Sequence, residues 1–384
     1  MISKIRNSFK MVGRLKKSKE HVLEENNKPH WEGLTFKPAI VCGEDGMQFI
    51  KFFGGDNKKG KTFEDKKIKN GDNEIAISYE KRFDPELLSK VSRGYKRIVV
   101  LNGETHEFLY QKEFVKFMFD NFEKFENKVV EITGEISASY STKNKKVYME
   151  YVVNGVKEVA DDTKQCARGM MQLFYPQYAI DEDILKNGKI DVPYLNQVGN
   201  KVRIRAFMES KNTNKTLDVE SLFYPIDAVI ELSKIDFTND NQSRKAHLLV
   251  KNVDNREECV TTSCWEVKLI NAQEKKSYTE EEINDLLTPE EREYAELWGE
   301  DLEEVLAKKQ GTAFYGERVN EIRCFKPESH MPIKTVTEDV SIDMLELYKA
   351  LNTNVEETTE KKKVEENKVE EKKDIEVDEF EDLF

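Results

Sequence analysis

The sequence predicts a mainly β protein, with two β-barrel modules followed by an acidic α/β region and a disordered acidic tail. Short apolar or alternating runs recur along residues 1–235, and connectors rich in Gly, Asn and Lys separate them. One amphipathic helix stands between two sets of these runs. We therefore expect a module at 1–125 with a basic N-terminal arm, a second at 126–235, the α/β region at 236–352 and the tail at 353–384.

The first module is expected to contain short strands and one helix. The predicted strands are Leu34–Val41, Met47–Phe53, Glu74–Tyr79, Arg97–Leu101 and Glu107–Tyr110. The segment Lys112–Asn127 differs, because apolar residues, most of them Phe, recur there at intervals of three and four. That spacing predicts an amphipathic helix whose aromatic stripe packs on a sheet.

The same sequence patterns predict the strands and helices of the second module and the acidic region. The predicted strands of the second module are Lys128–Ser139, Lys146–Val153, Gly169–Tyr175, Lys201–Phe207 and Thr216–Phe223. Beyond residue 235, the apolar runs Lys245–Val253 and Cys264–Ile270 predict further strands, and Tyr278–Lys309 predicts acidic helices. The segment after Asn352 is dominated by Glu and Lys, with too little apolar surface to fold.

Composition and charge exclude several classes of protein. No stretch approaches the roughly 20 apolar residues of a membrane span, and the N-terminus lacks the pattern of a signal peptide. The five cysteines are scattered and odd in number, which favours a reducing cytoplasm over a disulfide framework. We expect a cytoplasmic protein with no membrane partner.

The charge is polarised along the chain. Residues 1–220 carry 39 Lys and Arg against 33 Asp and Glu, a net of +6, whereas residues 221–384 carry 22 against 41, a net of −19. A basic face can therefore act locally although the whole chain has a net charge of −13.

Catalytic and metal signatures contribute little to the interpretation. The chain lacks the GxGxxG, HExxH and GxSxG motifs, so we expect no catalytic residue, no cofactor and no enzyme activity. Cys259 and Cys264, with His247 and Cys324 at a distance, offer a weak zinc alternative. Zinc modules have tighter paired spacing, so buried thiols are the preferred interpretation and no metal site is predicted.

Residues suited to binding single-stranded nucleic acid are more abundant. Such binding needs cations that follow the phosphates and aromatic faces on which bases stack. The predicted DNA-binding residues are Lys10, Arg14, Lys16, Lys17, Trp31, Lys143, Lys145, Lys146, Tyr148, Lys201, Arg203, Arg205, Lys211 and Lys215. Phe36, Phe49, Phe52, Phe53, Tyr140, Tyr151 and Phe207 are further aromatic candidates. For each aromatic residue, core packing is the alternative.

Strand alternation sorts some of these residues onto faces. In Lys146–Val153 the residues Lys146, Tyr148 and Glu150 share one face, which we expect to be exposed. In Lys201–Phe207 the alternation places three cations, Lys201, Arg203 and Arg205, on one line. An aromatic ring among cations on an exposed strand suits a surface that follows a phosphate backbone.

The C-terminal segment Asp374–Phe384 carries six acids, no base and a final Phe. It resembles the acidic tip of single-stranded DNA-binding proteins, both bacterial and phage-encoded. The bacterial tip has Pro before its last Phe, whereas Leu383 stands here, so the pattern is nearer the phage type. The resemblance implies that the tip docks replication or recombination proteins and competes with DNA. The predicted docking residues are Asp378, Glu379, Phe380, Glu381, Asp382, Leu383 and Phe384.

The resemblance also implies a fold and a function. The modules are expected to be barrels of the oligonucleotide-binding (OB) type. The protein is expected to bind single-stranded DNA with little sequence preference during phage replication or recombination. The alternative is a phage structural or assembly protein that makes protein contacts through its acidic helices and tail. An accessory subunit or nuclease without a readable motif is a third interpretation.

Overall fold

Long strands in which buried and exposed residues alternate are the main secondary structure of the described residues, which confirms the prediction of a mainly β fold. The computed structural model describes residues 7–18, 22–60, 62–70, 73–126, 128–212, 217–275, 280–298, 302–309, 315–328 and 335–351. In this part of the chain, no helix is long and apolar enough to cross a membrane.

The N-terminal half consists mainly of strands. They are β1 (Ser8–Lys16), β2 (Glu24–Lys28), β3 (Trp31–Phe36), β4 (Ala39–Val41), β5 (Met47–Lys59), β6 (Thr62–Phe63), β7 (Lys66–Asn70), β8 (Asn73–Ile77), β9 (Arg97–Leu101), β10 (Glu104–Phe108), β11 (Val129–Ser141) and β12 (Lys146–Glu158). The helices of this half are α1 (Pro85–Ser89) and α2 (Gln111–Asp120).

Strands β1, β4, β5, β12 and β11 close into a ring, in that order. All neighbours in the ring are antiparallel except β5 and β12, which are parallel. In chain order this is the arrangement 1-2-3-5-4, with α2 between the third and fourth strands. It is the topology of an OB barrel. β3 extends the second strand and pairs with β5 as well.

The C-terminal half repeats this plan. Its strands are β13 (Cys166–Tyr175), β14 (Leu185–Lys186), β15 (Lys189–Ile190), β16 (Lys201–Lys211), β17 (Ser221–Glu231), β18 (Thr261–Lys275), β19 (Tyr315–Pro327) and β20 (Thr335–Val336). Its helices are α3 (Val192–Gln197), α4 (Asp240–Lys251), α5 (Glu280–Leu286), α6 (Pro289–Trp298), α7 (Leu302–Lys309) and α8 (Ile342–Glu346).

A second ring joins β13, β16, β17, β19 and β18, again with the third and fifth strands parallel. Helix α4 lies between the third and fourth strands, as α2 does in the first ring. The two barrels are joined through their first strands, because β1 pairs antiparallel with β13. The protein is thus two OB-type barrels that share a hydrogen-bonded seam.

The rings show where the barrels lie along the chain. The first barrel takes strands from both sides of residue 125, because β1, β4 and β5 precede this residue and β11 and β12 follow it. The second extends beyond residue 235, because β18 and β19 are its fourth and fifth strands and α5, α6 and α7 lie in the connection between them. The boundaries expected at 125 and 235 therefore fall inside barrels.

The prediction of a strand at Lys245–Val253 is wrong, because this segment belongs mainly to helix α4. The Asn239 side chain caps the helix by accepting the backbone N–H groups of residues 241 and 242. Ala246, Leu249 and Val250 are buried at helical spacing. Consecutive apolar residues fit a buried strand and a buried helix face equally well, and the Asn239 cap is the helix signal that the apolar run lacks.

The predicted aromatic stripe of α2 does pack on the sheet. Phe114, Val115 and Met118 are buried against the first barrel. Beneath them the rings of Phe36 and Phe52 stack with their centroids 4.6 Å apart. The core of the first barrel thus depends on the inward-facing residues of β3 and β5.

Replacing Phe52 by Ala tests this dependence. The substitution removes a fully buried ring and one half of the stacked pair, so we expect it to lower the free energy of unfolding by about 3–5 kcal/mol in a urea titration. Phe49→Ala, on the opposite face of the same strand, should change it by less than about 1 kcal/mol. Equal effects of the two substitutions would contradict the assignment of the faces.

Candidate nucleic-acid interface

The outer face of β5 carries alternating aromatic and cationic side chains. Ile50 and Phe52 point into the barrel, so Phe49, Lys51 and Phe53 point outward. Phe49 is 53% exposed and Phe53 is 39% exposed, which is unusual for such large apolar side chains. Four residues along a strand separate the two rings by roughly 13 Å. Several bases could therefore lie along this face.

Trp31 extends this face onto β3. Its indole lies over the backbone of two glycines that pair across the strands, Gly33 and Gly55. A Cβ atom on Gly33 would lie 1.9 Å from Trp31 Cη2, so the ring can occupy this position only over glycine. The Trp31 and Phe53 ring centroids are 6.0 Å apart. We call the outward set Trp31, Phe49, Lys51 and Phe53 the aromatic strip.

Cations lie on and beside the aromatic strip. Lys51 Nζ is 5.2 Å from the centroid of the Phe53 ring, and Lys28 Nζ is 5.8 Å from that of Trp31. Lys51 Nζ also lies 3.1 Å from Glu150 Oε2 on the neighbouring β12. Glu150 orients the Lys51 side chain along the strip and balances part of its charge.

The hairpin between β11 and β12 belongs to the strand pair that borders β5, because β12 pairs with β5. It presents the predicted residues Lys143, Lys145 and Lys146, all exposed. Tyr148 is 44% exposed, and its hydroxyl oxygen accepts a hydrogen bond from Asn144 Nδ2 at 2.9 Å. Its strand position is on the same face as Glu150, as the sequence predicts.

A groove between the barrels continues from the aromatic strip. Lys51 and Phe53 line one side, and Lys211 of the second barrel lines the other. Ser137 and Ser139 of β11 form part of its wall, and the two lysines share the groove with four carboxylates, Glu135, Glu150, Glu209 and Glu220. The groove has a volume of about 1090 Å³ and is open to solvent. Of the predicted cations, Lys211 thus lies close to the strip although it is far away in sequence.

The predicted cations of β1 have carboxylate neighbours. Lys10 Nζ lies 2.6 Å from Glu131, and Arg14 Nη2 lies 3.3 Å from Asp161. Lys17 Nζ lies 3.0 Å from Glu123, whose hydrogen bond raises the pKa of this lysine. Lys16 is exposed. These pairs are at the surface and weak, but they lower the local positive charge.

The predicted line of cations on β16 is partly neutralised. Lys201 Nζ lies 3.4 Å from Glu321 and 3.7 Å from Glu231. Arg205 Nη2 lies 3.5 Å from Glu346 of α8. Arg203 is exposed.

The rest of this second-barrel face is covered by the chain itself. Phe174, Phe207 and Phe223 form an aromatic cluster outside the barrel core, and each is less than 5% exposed. Leu345 of α8 packs on them, together with Val340 and Tyr348. We call residues 335–351 the C-terminal cover. The two barrels therefore share a topology but differ in the access that solvent has to this face.

The remaining predictions concern residues outside the described part of the chain and the zinc alternative. Lys215 and the tail residues 378–384 lie outside the described residues. Within the described part of the chain, no group of three or more His, Cys, Asp or Glu is placed to hold a metal ion. Cys264 is buried, which raises the pKa of its thiol to about 11 and keeps it protonated at neutral pH.

A phosphate-loop pattern occurs in the sequence at the end of β5. Residues 55–62 have the Gly-x4-Gly-Lys-Thr spacing of a phosphate-binding loop. A functional loop of that kind connects a strand to a helix. Here β5 runs to Lys59, Gly60 adopts a positive φ of 67°, and β6 follows as the return strand of a hairpin. The pattern therefore joins two antiparallel strands, which is not the strand-to-helix connection of a nucleotide-binding loop.

Phe49, Lys51 and Phe53 are the residues of the aromatic strip that the predicted DNA-binding set lacks, although both rings are among the further aromatic candidates. The sequence places them in one apolar run with Phe52, and that run alone does not show which rings face outward. The signal was the Lys at position 51, two residues from each ring. Residues 49, 51 and 53 share a face only if the segment is a strand with Phe52 inside.

Substitution of Gly33 tests how Trp31 is held. The three atoms nearest to a Cβ at Gly33 all belong to the Trp31 ring, so Gly33→Ala should displace the ring without unfolding the barrel. We expect the fluorescence of Trp31, isolated by subtracting the spectrum of Trp31→Phe, to shift to longer wavelength. Gly94→Ala is the control, since a Cβ there meets no atom within 4 Å. An unchanged Trp31 spectrum would show that the ring does not lie on Gly33.

Comparisons with known proteins give a limited result. No family model matches the chain, and no curated protein matches it. Two structures of the single-stranded DNA-binding protein from Thermus aquaticus match at 10% identity over 70% of this chain. For the wild type the TM-score is 0.28 with 85% of that chain covered, and for a deletion variant it is 0.27 with 87% covered. At this similarity, the fold of the present chain is assigned from its own strand pairing.

Proposed function

We propose that this protein binds single-stranded DNA with little sequence preference, and that the strand lies across the aromatic strip. The observation that carries the proposal is the exposure of Phe49 and Phe53, with the half-buried Trp31 and Lys51 beside them, on the second and third strands of an OB-type barrel. This is the face that OB folds use for oligonucleotides.

The chemistry of the strip suits unpaired bases. An exposed aromatic ring stacks on the face of a base, and duplex DNA does not offer that face. Each stacked base contributes about 1–3 kcal/mol, with little preference among the bases. Lys28, Lys51 and the lysines of the β11–β12 hairpin supply the positive charge that phosphates need.

The first barrel is the better candidate of the two. The corresponding aromatic cluster of the second barrel is buried under the C-terminal cover, and Glu346 of the cover pairs with Arg205. The groove between the barrels leads from Phe53 to Lys211. We infer that a strand leaves the aromatic strip through this groove and contacts the second barrel only at its edge.

We further propose that the protein acts in phage DNA replication or recombination and recruits partner proteins through residues 374–384. This part of the proposal rests on the sequence of the tail, six acids and a terminal Phe. The acids mimic phosphates, and the Phe384 ring fits a basic-rimmed apolar pocket on a partner.

One observation favours the second candidate function, protein assembly. Tyr294, Leu297 and Trp298 of α6 are all more than 60% exposed on an acidic helix. Large exposed apolar side chains of this kind mark protein contacts. The two functions can be separated by whether substitutions on α6 or on β5 alter DNA binding.

Substitutions on the aromatic strip test the proposed function. Phe49→Ala/Phe53→Ala removes two stacking faces, so the affinity for fluorescent oligo-dT should fall by about tenfold or more in an anisotropy titration. The slope of log K against log salt should stay constant, because stacking releases no counterions. Phe83→Ala, which removes an exposed ring outside the strip, is the matched control and should bind as the parent does.

Two results would contradict the proposal. One is an affinity for oligo-dT that does not change when the salt concentration rises from 50 to 200 mM, about the range over which phosphate contacts have a large effect. The other is a parent-like affinity of the double variant when its fold is intact by thermal unfolding. Binding that instead depends on Tyr294, Leu297 and Trp298 would favour the assembly function.

Variants of the tail test the recruitment proposal. Deletion of residues 374–384 should tighten oligo-dT binding at low salt, because a tethered acidic segment competes with DNA at high effective concentration. Phe384→Ala should leave that affinity unchanged and reduce capture of a replication polymerase, helicase or recombinase. If the deletion alters neither property, the tail serves only solubility.

A further inference from the structure

A second basic concavity lies on the first barrel, next to the groove between the barrels. It is formed by β7, the turn at residues 93–95, and the outer faces of β9, β11 and β12. Its volume of about 520 Å³ is within the range of small-ligand pockets. We call it the basic hollow. The residues that form it are separated by up to 91 positions, from 66 to 157. None of them is among the DNA-binding residues predicted from the sequence.

The residues that line the basic hollow carry an excess of positive charge. Two carboxylates, Glu131 and Glu135, face six cationic side chains, which gives a formal net charge of +4. The six cations are Lys66, Lys67, Arg93, Lys96, Arg97 and Lys157. Glu131 is already paired with Lys10 at 2.6 Å, on the β1 side. The field in the hollow therefore attracts anions.

The cations differ in how firmly they are held. Lys66 pairs with the buried Asp56 at 2.6 Å, and Lys96 pairs with Glu107 at 2.9 Å, so both are part of the local structure. Arg93 and Lys157 are exposed, and the Lys67 side chain is 71% exposed with its nearest carboxylate 3.8 Å away. These three side chains are available to a ligand. An arginine in such a place donates paired hydrogen bonds to phosphate oxygens.

The hollow also holds an exposed ring. Tyr95 is 47% exposed on the turn between Arg93 and Arg97, and it lines the hollow. A ring beside three available cations is the pair of features that a nucleotide needs, one for the base and the other for the phosphate. A site for inorganic anions alone has no use for the ring.

The hollow is continuous with the groove that leaves the aromatic strip. Glu135 of β11 lines both concavities, so they meet at this strand. A strand of DNA that lies on Phe53 and enters the groove therefore reaches a branch, toward Lys211 or toward the hollow. The hollow has the higher density of cations.

We propose that the basic hollow binds the phosphodiester backbone of single-stranded DNA beyond the aromatic strip, with one base stacked on Tyr95. This inference rests on the proposed function and extends its path. Arg93, Lys67 and Lys157 contact phosphates, while Lys66 and Lys96 hold the walls. The hollow lengthens the bound segment without adding sequence preference.

The test compares oligo-dT of two lengths. The shorter, of about 5 nucleotides, fits the aromatic strip alone, and the longer, of about 20 nucleotides, also reaches the basic hollow. Arg93→Ala/Lys157→Ala should weaken binding of the longer oligonucleotide on the order of tenfold at 0.1 M salt. The slope of log K against log salt for that oligonucleotide should become shallower by about 1.4, because each lost phosphate contact lowers it by about 0.7. The shorter one should bind as before. Lys234→Ala/Lys245→Ala, two exposed lysines of the second barrel, is the control for net charge.

The outcomes separate this inference from the proposed function. If the Arg93/Lys157 variant matches the Lys234/Lys245 control with both lengths, the hollow does not bind DNA, and the Phe49/Phe53 test then decides separately whether the aromatic strip does. If the parent binds neither length, the proposed function itself fails. Saturable binding of thymidine 3′,5′-bisphosphate that competes with no oligonucleotide would overturn the inference in favour of a free-nucleotide site. Lys67→Ala repeats the test should the double variant be unstable.

Discussion

The proposed site depends on the closure of the first ring at β5. This strand is hydrogen-bonded to β4 and β3 on one edge and to β12 on the other, so its side chains can point only into the barrel or into solvent. Phe52 therefore packs in the core against Phe36, and the side chain of its neighbour Phe53 points outward and is partly exposed to solvent. The core stabilises the strand, and the same strand presents rings that the core does not cover. The inward-facing residues of β5 thus stabilise the barrel, and the outward-facing residues between them are the ones proposed to bind.

The two barrels show that topology alone does not determine a binding face. Both have the same strand order, the same position for the helix and aromatic residues on the outer face of the second and third strands. In the second barrel the C-terminal cover buries those rings with Leu345 and offsets Arg205 with Glu346. The first barrel instead has a long connection, residues 60–110, that leaves its strip open and adds the cations of the basic hollow. The account therefore assigns binding to the first barrel and an edge contact to the second.

Local patterns were enough to predict the secondary structure in most places, and three-dimensional pairing was needed for the rest. The spacing of Phe114, Val115 and Met118 predicts α2 correctly, since a helix face is encoded within a few residues. Ring closure joins β5 to β12 by pairing Ile50 with Tyr151, 101 residues away, and no local signal carries that pairing. For the same reason the sequence suggests neither the barrel limits nor the hollow, and it places Arg205 on an open face although Glu346, 141 residues away, pairs with it.

The most direct test of the central claim is photo-crosslinking of the full-length protein to oligo-dT, with the crosslinked residues located by mass spectrometry. Aromatic residues that stack on thymine should crosslink most readily. The account predicts crosslinks at Trp31, Phe49 and Phe53, all lost when an excess of unlabelled oligo-dT is added. Crosslinks confined to the second barrel, around Arg203 or under the C-terminal cover, with none on β3 or β5, would contradict it.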